Sequence, residues 1–139
     1  MTTETLSRDE TFDIGKRLGE QAKQGDIITL SGDLGVGKTV FAQGVAEGLG
    51  IDDNVCSPTF TILQIYDDGR LPLYHFDTYR IEDPGEMDAI GYEDYFFGDG
   101  VCIIEWPEMV DDLLPEDVIK VRIEKDPAKG VDYRRITVD

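Results

Sequence analysis

Eight residues constrain this chain more than the rest of it. Gly32-Asp33-Leu34-Gly35-Val36-Gly37-Lys38-Thr39 places four residues between its first glycine and the Gly-Lys-Thr triplet, which is the Walker A spacing. That motif works only between a strand and a helix, and both flanks read that way. Asp26 to Ser31 is a β-branched run of strand length, and Val40 to Leu49 reads as a helix. Gly32, Gly35 and Gly37 admit positive φ, so backbone N–H groups can turn inward around an anion while the helix N-terminus faces the same phosphates. The backbone of Leu34, Gly35, Val36, Gly37, Lys38 and Thr39 is therefore expected to hold the phosphates of a nucleotide. Lys38 is placed between the β- and γ-phosphates and the Thr39 hydroxyl on Mg²⁺. Lys38 is expected to face ligand and to support no core.

The remaining composition narrows the setting. A chain of 139 residues is expected to form a single domain, residues 1–139, with room for one core. No run of about 18 apolar residues is present to span a bilayer, and Met1-Thr2-Thr3-Glu4 has no signal-peptide character. The expected location is cytoplasmic, with no membrane partner. Cys56 and Cys102 lie far apart, in neither a redox nor a zinc spacing, and read as reduced, buried thiols. Thirty acidic residues against 13 basic ones give a net charge of −17. Such a surface does not grip a nucleic-acid backbone unaided, because that affinity comes from neutralising phosphates. It suits either solubility or a basic protein partner.

Along the chain, Ser7-Arg8-Asp9-Glu10 forms a capping box. Thr11, Ile14, Gly15, Leu18 and Ala22 then recur at helical spacing, so the first helix is expected to run to about Lys23 and stop at Gly25. It is expected to pack beside the first strand, where Thr11 either approaches the base end of the nucleotide or only covers the sheet edge. Ser57-Pro58-Thr59-Phe60 is held extended by its proline. It is read either as a hydroxyl-bearing switch near the γ-phosphate or as a plain turn.

Thr59 to Tyr66 and Leu71 to Tyr79 are strand-like runs joined by Asp67-Asp68-Gly69-Arg70, an antiparallel hairpin signal. Period two places Leu73, His75 and Asp77 on one face of the second run. His75 reads first as a structural hydrogen-bonder. Asp77 reads as functional, suited to orienting an Mg²⁺-bound or attacking water, although an unperturbed carboxyl near about 4 would make a weak base. Pro84 to Ile90 opens a short helix, and Tyr92 to Phe97 is read as core, with a docking face as the alternative. Gly100 to Trp106 is a buried strand ending in Glu105, the shape of a Walker B element with Glu where Asp is usual, so Glu105 is assigned to the metal. Trp106 reads as a packing aromatic or a substrate stacker. A short helix to Leu114 follows, and Val118 to Glu124 with Tyr133 to Val138 reads as a closing hairpin.

Taken together, Gly32 to Thr39, Ser57-Pro-Thr-Phe60, His75-Phe-Asp-Thr-Tyr-Arg80 and Ile104-Glu-Trp-Pro-Glu108 resemble, in order and spacing, the TsaE (YjeE) family of small bacterial ATPases. These are needed for threonylcarbamoyladenosine modification of tRNA. The resemblance spans nearly the whole chain. It implies an ATPase that works with TsaB and TsaD, which transfer the threonylcarbamoyl group to the adenosine beside the anticodon, so that tRNA is met only through the complex. It also implies that Lys38 and Thr39 serve the phosphates and metal, Thr59 the switch, and that Asp77, Glu105 and Trp106 are essential. Its adenine end would be met by Arg8 to Thr11 and by the late turn at Lys129 and Gly130.

The expected fold is α/β, a P-loop NTPase core whose mixed sheet is parallel around the nucleotide and antiparallel at its hairpins, flanked by helices. Two rivals stand beside a partner-stimulated ATPase. A small-molecule kinase needs an acceptor pocket and usually an Arg-rich lid, and seven arginines are spread through the chain. A non-hydrolytic module switched by ATP occupancy is the other.

Overall fold

The computed structural model describes residues 1–32, 36–52, 55, 62–83 and 85–139. Among these, seven strands form one mixed sheet: β1 (Thr2–Thr5), β2 (Ile27–Ser31), β3 (Leu63–Tyr66), β4 (Leu73–Asp77), β5 (Val101–Glu105), β6 (Ile119–Lys125) and β7 (Arg134–Val138). Their order is β1-β7-β6-β2-β5-β4-β3. The four central strands, β6, β2, β5 and β4, run parallel, and β1, β7 and β3 pair antiparallel at the edges. Parallel strands buried on both faces need continuous apolar sequence. β5 is buried along its whole length, and β2 and β4 are buried except at their last residues.

Two apolar layers sandwich the sheet. On one face Ile28, Leu30, Leu73, Val101, Ile103 and Val121 meet the helices α1 (Arg8–Gln21) and α2 (Lys38–Gly48). On the other, Ile27, Phe76, Cys102 and Ile104 meet α3 (Gly85–Ala89), α4 (Tyr92–Phe96) and a 3-10 turn over Pro107–Leu113. Tyr92 and Phe96 are buried with rings 5.0 Å apart, and Phe96 meets Phe76 edge-on at 5.4 Å. Phe97 remains exposed. The core reading therefore holds for that segment's inner side chains. Cys102 is a free, buried thiol that burial pushes up to about 12, while Cys56 lies outside the described residues.

The capping box forms as the sequence predicts, with the Ser7 hydroxyl accepting the Glu10 N–H at 3.1 Å. The helix it starts does not pack chiefly on a strand, however. α1 lies against α2 backbone to backbone. A Cβ at Gly15 would stand 2.3 Å from the Phe41 carbonyl oxygen, and one at Gly44 would stand 2.2 Å from that of Phe12. Gly48, the last residue of α2, belongs to the same contact, its Cβ position 2.2 Å from the Lys16 carbonyl oxygen. The α1 C-terminus has no basic residue in its last turn. Arg70, from the β3–β4 hairpin, serves instead, donating to the carbonyls of Gly19, Glu20 and Ala22 at 2.8, 3.1 and 2.9 Å. Among the described residues no helix is long and apolar enough to cross a membrane.

β1 is the element the sequence did not signal. It is short and threonine-rich, and it exists by pairing with β7, Thr3 opposite Ile136 and Glu4 opposite Arg135.

Candidate functional site at the ends of the parallel strands

In open α/β sheets ligands collect beyond the carboxyl ends of the parallel strands. Here β2 leads toward residues 36 and 37 and into α2, while β4 and β5 end beside it in Asp77 and Glu105. Gly37 caps α2 in the left-handed region, at φ 104°, with no side-chain cap hydrogen bond among the described residues. A helix start of this kind offers its amides to an anion. Leu34, Gly35 and Thr59, and with Thr59 the expected switch segment, lie outside the described residues.

Lys38 is the first residue of α2 and only 6% exposed. Its Nζ donates to the Gly32 carbonyl at 2.8 Å and lies 3.6 Å from the centroid of the Trp106 ring. The expectation that it supports no packing is corrected, since its stem is enclosed and its ammonium rests on an aromatic face. Thr39 follows in the same turn, partly buried, and Val36 is buried.

Trp106 joins the strand-end group through an unusual backbone. Among the described residues it is the one non-glycine with positive φ, at 60°, ψ 52°. Conformations of this kind persist where surrounding structure over-determines them. Thr78, fully buried, supplies that constraint: its hydroxyl is shared between the carbonyls of Glu105 at 2.9 Å and Trp106 at 2.6 Å. The Tyr79 ring lies 4.8 Å from Trp106 on its exposed side.

Glu105 is almost wholly buried, and its Oε2 accepts from His75 Nε2 at 2.7 Å. Asp77 is its register partner on β4 and is half-buried, accepting the Tyr79 N–H at 3.0 Å. Burial raises the Asp77 carboxyl above its ordinary value, the Tyr79 N–H opposes this, Glu105 adds to it, and His75 and Lys38 pull back. A carboxylate shifted upward is a better proton acceptor at neutral pH than an unperturbed one. Among the described residues no three His, Cys, Asp or Glu side chains are gathered closely enough to cage a metal. Adjacent carboxylates beside a Lys-Thr helix start fit Mg²⁺ better than a caged ion, since Mg²⁺ keeps most of its waters and takes one or two carboxylates plus phosphate oxygens.

The positions expected at the base end form a second group. Arg8 opens α1 and is exposed, Thr11 is buried with its hydroxyl 2.8 Å from that of Thr5, and Gly130 turns between β6 and β7 at φ 133°. Glu4 of β1 takes the Tyr133 hydroxyl and pairs with Lys129 at 3.6 Å, which ties that turn to the start of α1. Arg134 links this group to the first. Its Nε donates to the Val36 carbonyl at 2.7 Å and its Nη1 to Val131 and Tyr133 at 2.9 and 2.7 Å. Neither Arg134 nor Thr78 was marked in the sequence. Arg134 acts across 98 residues, which no local pattern can carry. Thr78 had one usable signal, its place directly after Asp77 at a strand end.

An open groove of about 880 Å³ lined by Thr29, Ser31, Lys120 and Arg122 lies on the opposite face of the sheet from His75 and Glu105.

Residues 5–136 match the family model for threonylcarbamoyl adenosine biosynthesis protein TsaE. The chain is 48% identical over 133 residues to the tRNA threonylcarbamoyladenosine biosynthesis protein TsaE of Bacillus subtilis, covering 96% of this chain and 81% of that one. It is 41% identical over 117 residues to the protein of the same name from Treponema pallidum, covering 84% and 86%. The crystal structure of Bacillus subtilis YdiB superposes with a TM-score of 0.84 at 42% identity, over 99% of this chain and 83% of that one. An α/β architecture with a seven-stranded mixed sheet, and a match across nearly its whole length, place this chain in the TsaE family of tRNA threonylcarbamoyladenosine biosynthesis proteins.

Proposed function

We propose that residues 1–139 act as one P-loop ATPase domain that binds ATP with Mg²⁺ and hydrolyses it in support of threonylcarbamoyladenosine modification of tRNA. It works with TsaB and TsaD in the cytoplasm and meets tRNA only through them. The observation that carries this reading is the convergence of Lys38, Asp77, Glu105 and Trp106 at neighbouring strand ends beside the start of α2. Family membership supports the tRNA pathway.

The residues divide the work. The amides at the start of α2, with those of residues 34 to 37, bind and fix the terminal phosphates, and Lys38 neutralises charge that develops on the γ-phosphoryl group. Thr39 and Glu105 would hold Mg²⁺, which when bound supplies charge neutralisation across the β- and γ-phosphates. Asp77 orients the attacking water and takes up its proton, a role favoured by its raised pKa. Trp106 closes one side of the pocket and excludes water from Lys38. Thr59 would sense the γ-phosphate. Arg8 and Gly130 border the base, while Thr11, buried with its hydroxyl against Thr5, supports that end from within, and the exposed Leu6 and Val131 supply apolar surface there.

Phosphate release measured against TsaB–TsaD concentration, at two salt levels, tests the reading. The expected result is a slow isolated rate that rises with partners, because an arginine finger or its equivalent is worth about 10³ to 10⁵ in rate. The rise should weaken with salt, as contacts of a strongly acidic protein are screened over about 10 Å at 0.1 M. Phosphate transferred to a metabolite would favour a kinase, and unchanged ATP would favour a non-hydrolytic module.

A further inference from the structure

His75 lies in the middle of β4 with no solvent exposure, between Leu73 on its own face and Ile103 opposite, both also fully buried. One ring nitrogen, Nε2, is 2.7 Å from Glu105 Oε2. The other, Nδ1, is buried and has no hydrogen-bond partner among the described residues. An apolar side chain would fill this position without leaving a polar atom bare, and buried polar atoms of native folds are nearly always satisfied. The fold therefore carries an imidazole here at a cost to its own core, and the contact it obtains in return is the one to Glu105.

We infer that His75 is a positioning residue for Glu105, holding the carboxylate in the orientation from which it serves the Mg²⁺ shell. This rests on the proposed reading of Glu105. The carboxylate accepts only, so Nε2 carries the proton and donates, and the imidazole ring is kept from turning by the packed strand around it. Donation to Oε2 sets the rotation of the carboxylate plane at the end of β5. The clamp has a second jaw. Thr78, three residues on, fixes the main chain of Glu105: its N–H and hydroxyl both donate to the Glu105 carbonyl, at 3.2 and 2.9 Å. β4 thus holds the Glu105 side chain through His75 and its backbone through Thr78. Hydrogen bonds of this outer-layer kind orient ligating groups, and their loss commonly weakens metal affinity by about 10- to 100-fold.

The test is an equilibrium titration. Trp106 is the single tryptophan in the chain, so its emission reports nucleotide binding at this site. ADP is bound with Mg²⁺ varied, and again in EDTA, for the parent, His75→Leu, His75→Gln and Glu105→Gln, with thermal melting run alongside. In His75→Leu the Mg²⁺ concentration giving half of the response should rise about tenfold or more, while ADP affinity in EDTA and the melting temperature stay at or above parental values. His75→Gln, whose amide nitrogen reaches the place of Nε2, should return most of the Mg²⁺ response. A parental Mg²⁺ midpoint in folded His75→Leu overturns the inference, as does a fall in melting temperature with no change in Mg²⁺. If His75→Leu does not fold, His75→Asn replaces it: its donor is too short to reach Glu105, so the same rise is expected and a parental midpoint overturns the proposal. Glu105→Gln separates the two levels. A shift there with none in the His75 variants removes only the positioning role, and no shift in Glu105→Gln removes the metal assignment on which it rests.

Discussion

Asp77 and Glu105 are the last residues of adjacent parallel strands and stand opposite one another in register. Two carboxylates so placed repel when both are ionised, and the charge on Glu105 is one of the causes that raise Asp77. Lys38 and His75 oppose the shift without cancelling it. The pair thus joins a buried carboxylate held by His75 to a half-buried one, Asp77, whose carboxyl is held above its ordinary value.

For Asp77→Asn, ATP binding should persist and hydrolysis should fall by about 10² to 10⁴, the range typical of a lost general base. The sign of the stability effect follows from the raised pKa. A carboxyl held above its ordinary value is costly to ionise in the folded state, so its contribution is fully present below about the ordinary aspartate range and is lost as pH rises through the folded value. The variant should therefore be as stable as the parent or more so at pH 7.5, with the difference shrinking as pH falls toward 4. Denaturant unfolding at both pH values measures it, and a variant less stable at pH 7.5 would contradict the shift.

Lys38→Met keeps the enclosed stem and removes the charge. Nucleotide affinity and hydrolysis should both drop sharply. The contact with the Trp106 ring is also lost, with a stability cost of about 0.5–2 kcal/mol. Emission of the single tryptophan should shift even without nucleotide. Emission and ATP binding both unchanged in a folded variant would remove Lys38 from the site.

Replacing glycine by alanine inside a helix normally stabilises by about 1 kcal/mol. At Gly44 the sign should reverse, because the new Cβ would fall 2.2 Å from the Phe12 carbonyl oxygen and force α1 and α2 apart. A loss of about 1–3 kcal/mol or more is expected, measured by urea unfolding of Gly44→Ala against the parent. Neutral or improved stability would mean that the helices can separate freely.

Arg134→Met leaves the carbonyls of Val36, Val131 and Tyr133 without their donor. ATP affinity should fall about tenfold, since Val36 belongs to the segment proposed to bind the phosphates, and stability by about 1–3 kcal/mol. Arg134→Lys should not restore binding, because a single ammonium cannot reproduce the planar fork. A melting-temperature loss with unaltered ATP affinity would reduce Arg134 to a structural tie.

Much of this protein was legible locally. The strand before Gly32, the helix after Gly37, the capping box at Ser7, the turn at residues 67–70 and the paired strands near the C-terminus are short-range events. They depend on side-chain period and on which residues tolerate a turn, and the sequence carries both. The candidates Lys38, Asp77, Glu105 and Trp106 were likewise readable, from motif spacing and from carboxylates at strand ends. Their mutual arrangement was not. That Asp77 opposes Glu105, that Lys38 rests on Trp106, and that Arg134 reaches Val36 depend on sheet order and register, which bring together residues 28 to 98 positions apart. The same holds for β1, whose four residues form a strand only because β7 offers an edge, and for the glycines of α1 and α2, whose purpose appears only when the helices touch. Local propensity selects the elements. Burial, which depends on every element at once, decides which of them meet and so determines the ionisation of Asp77 and the hold of His75 on Glu105.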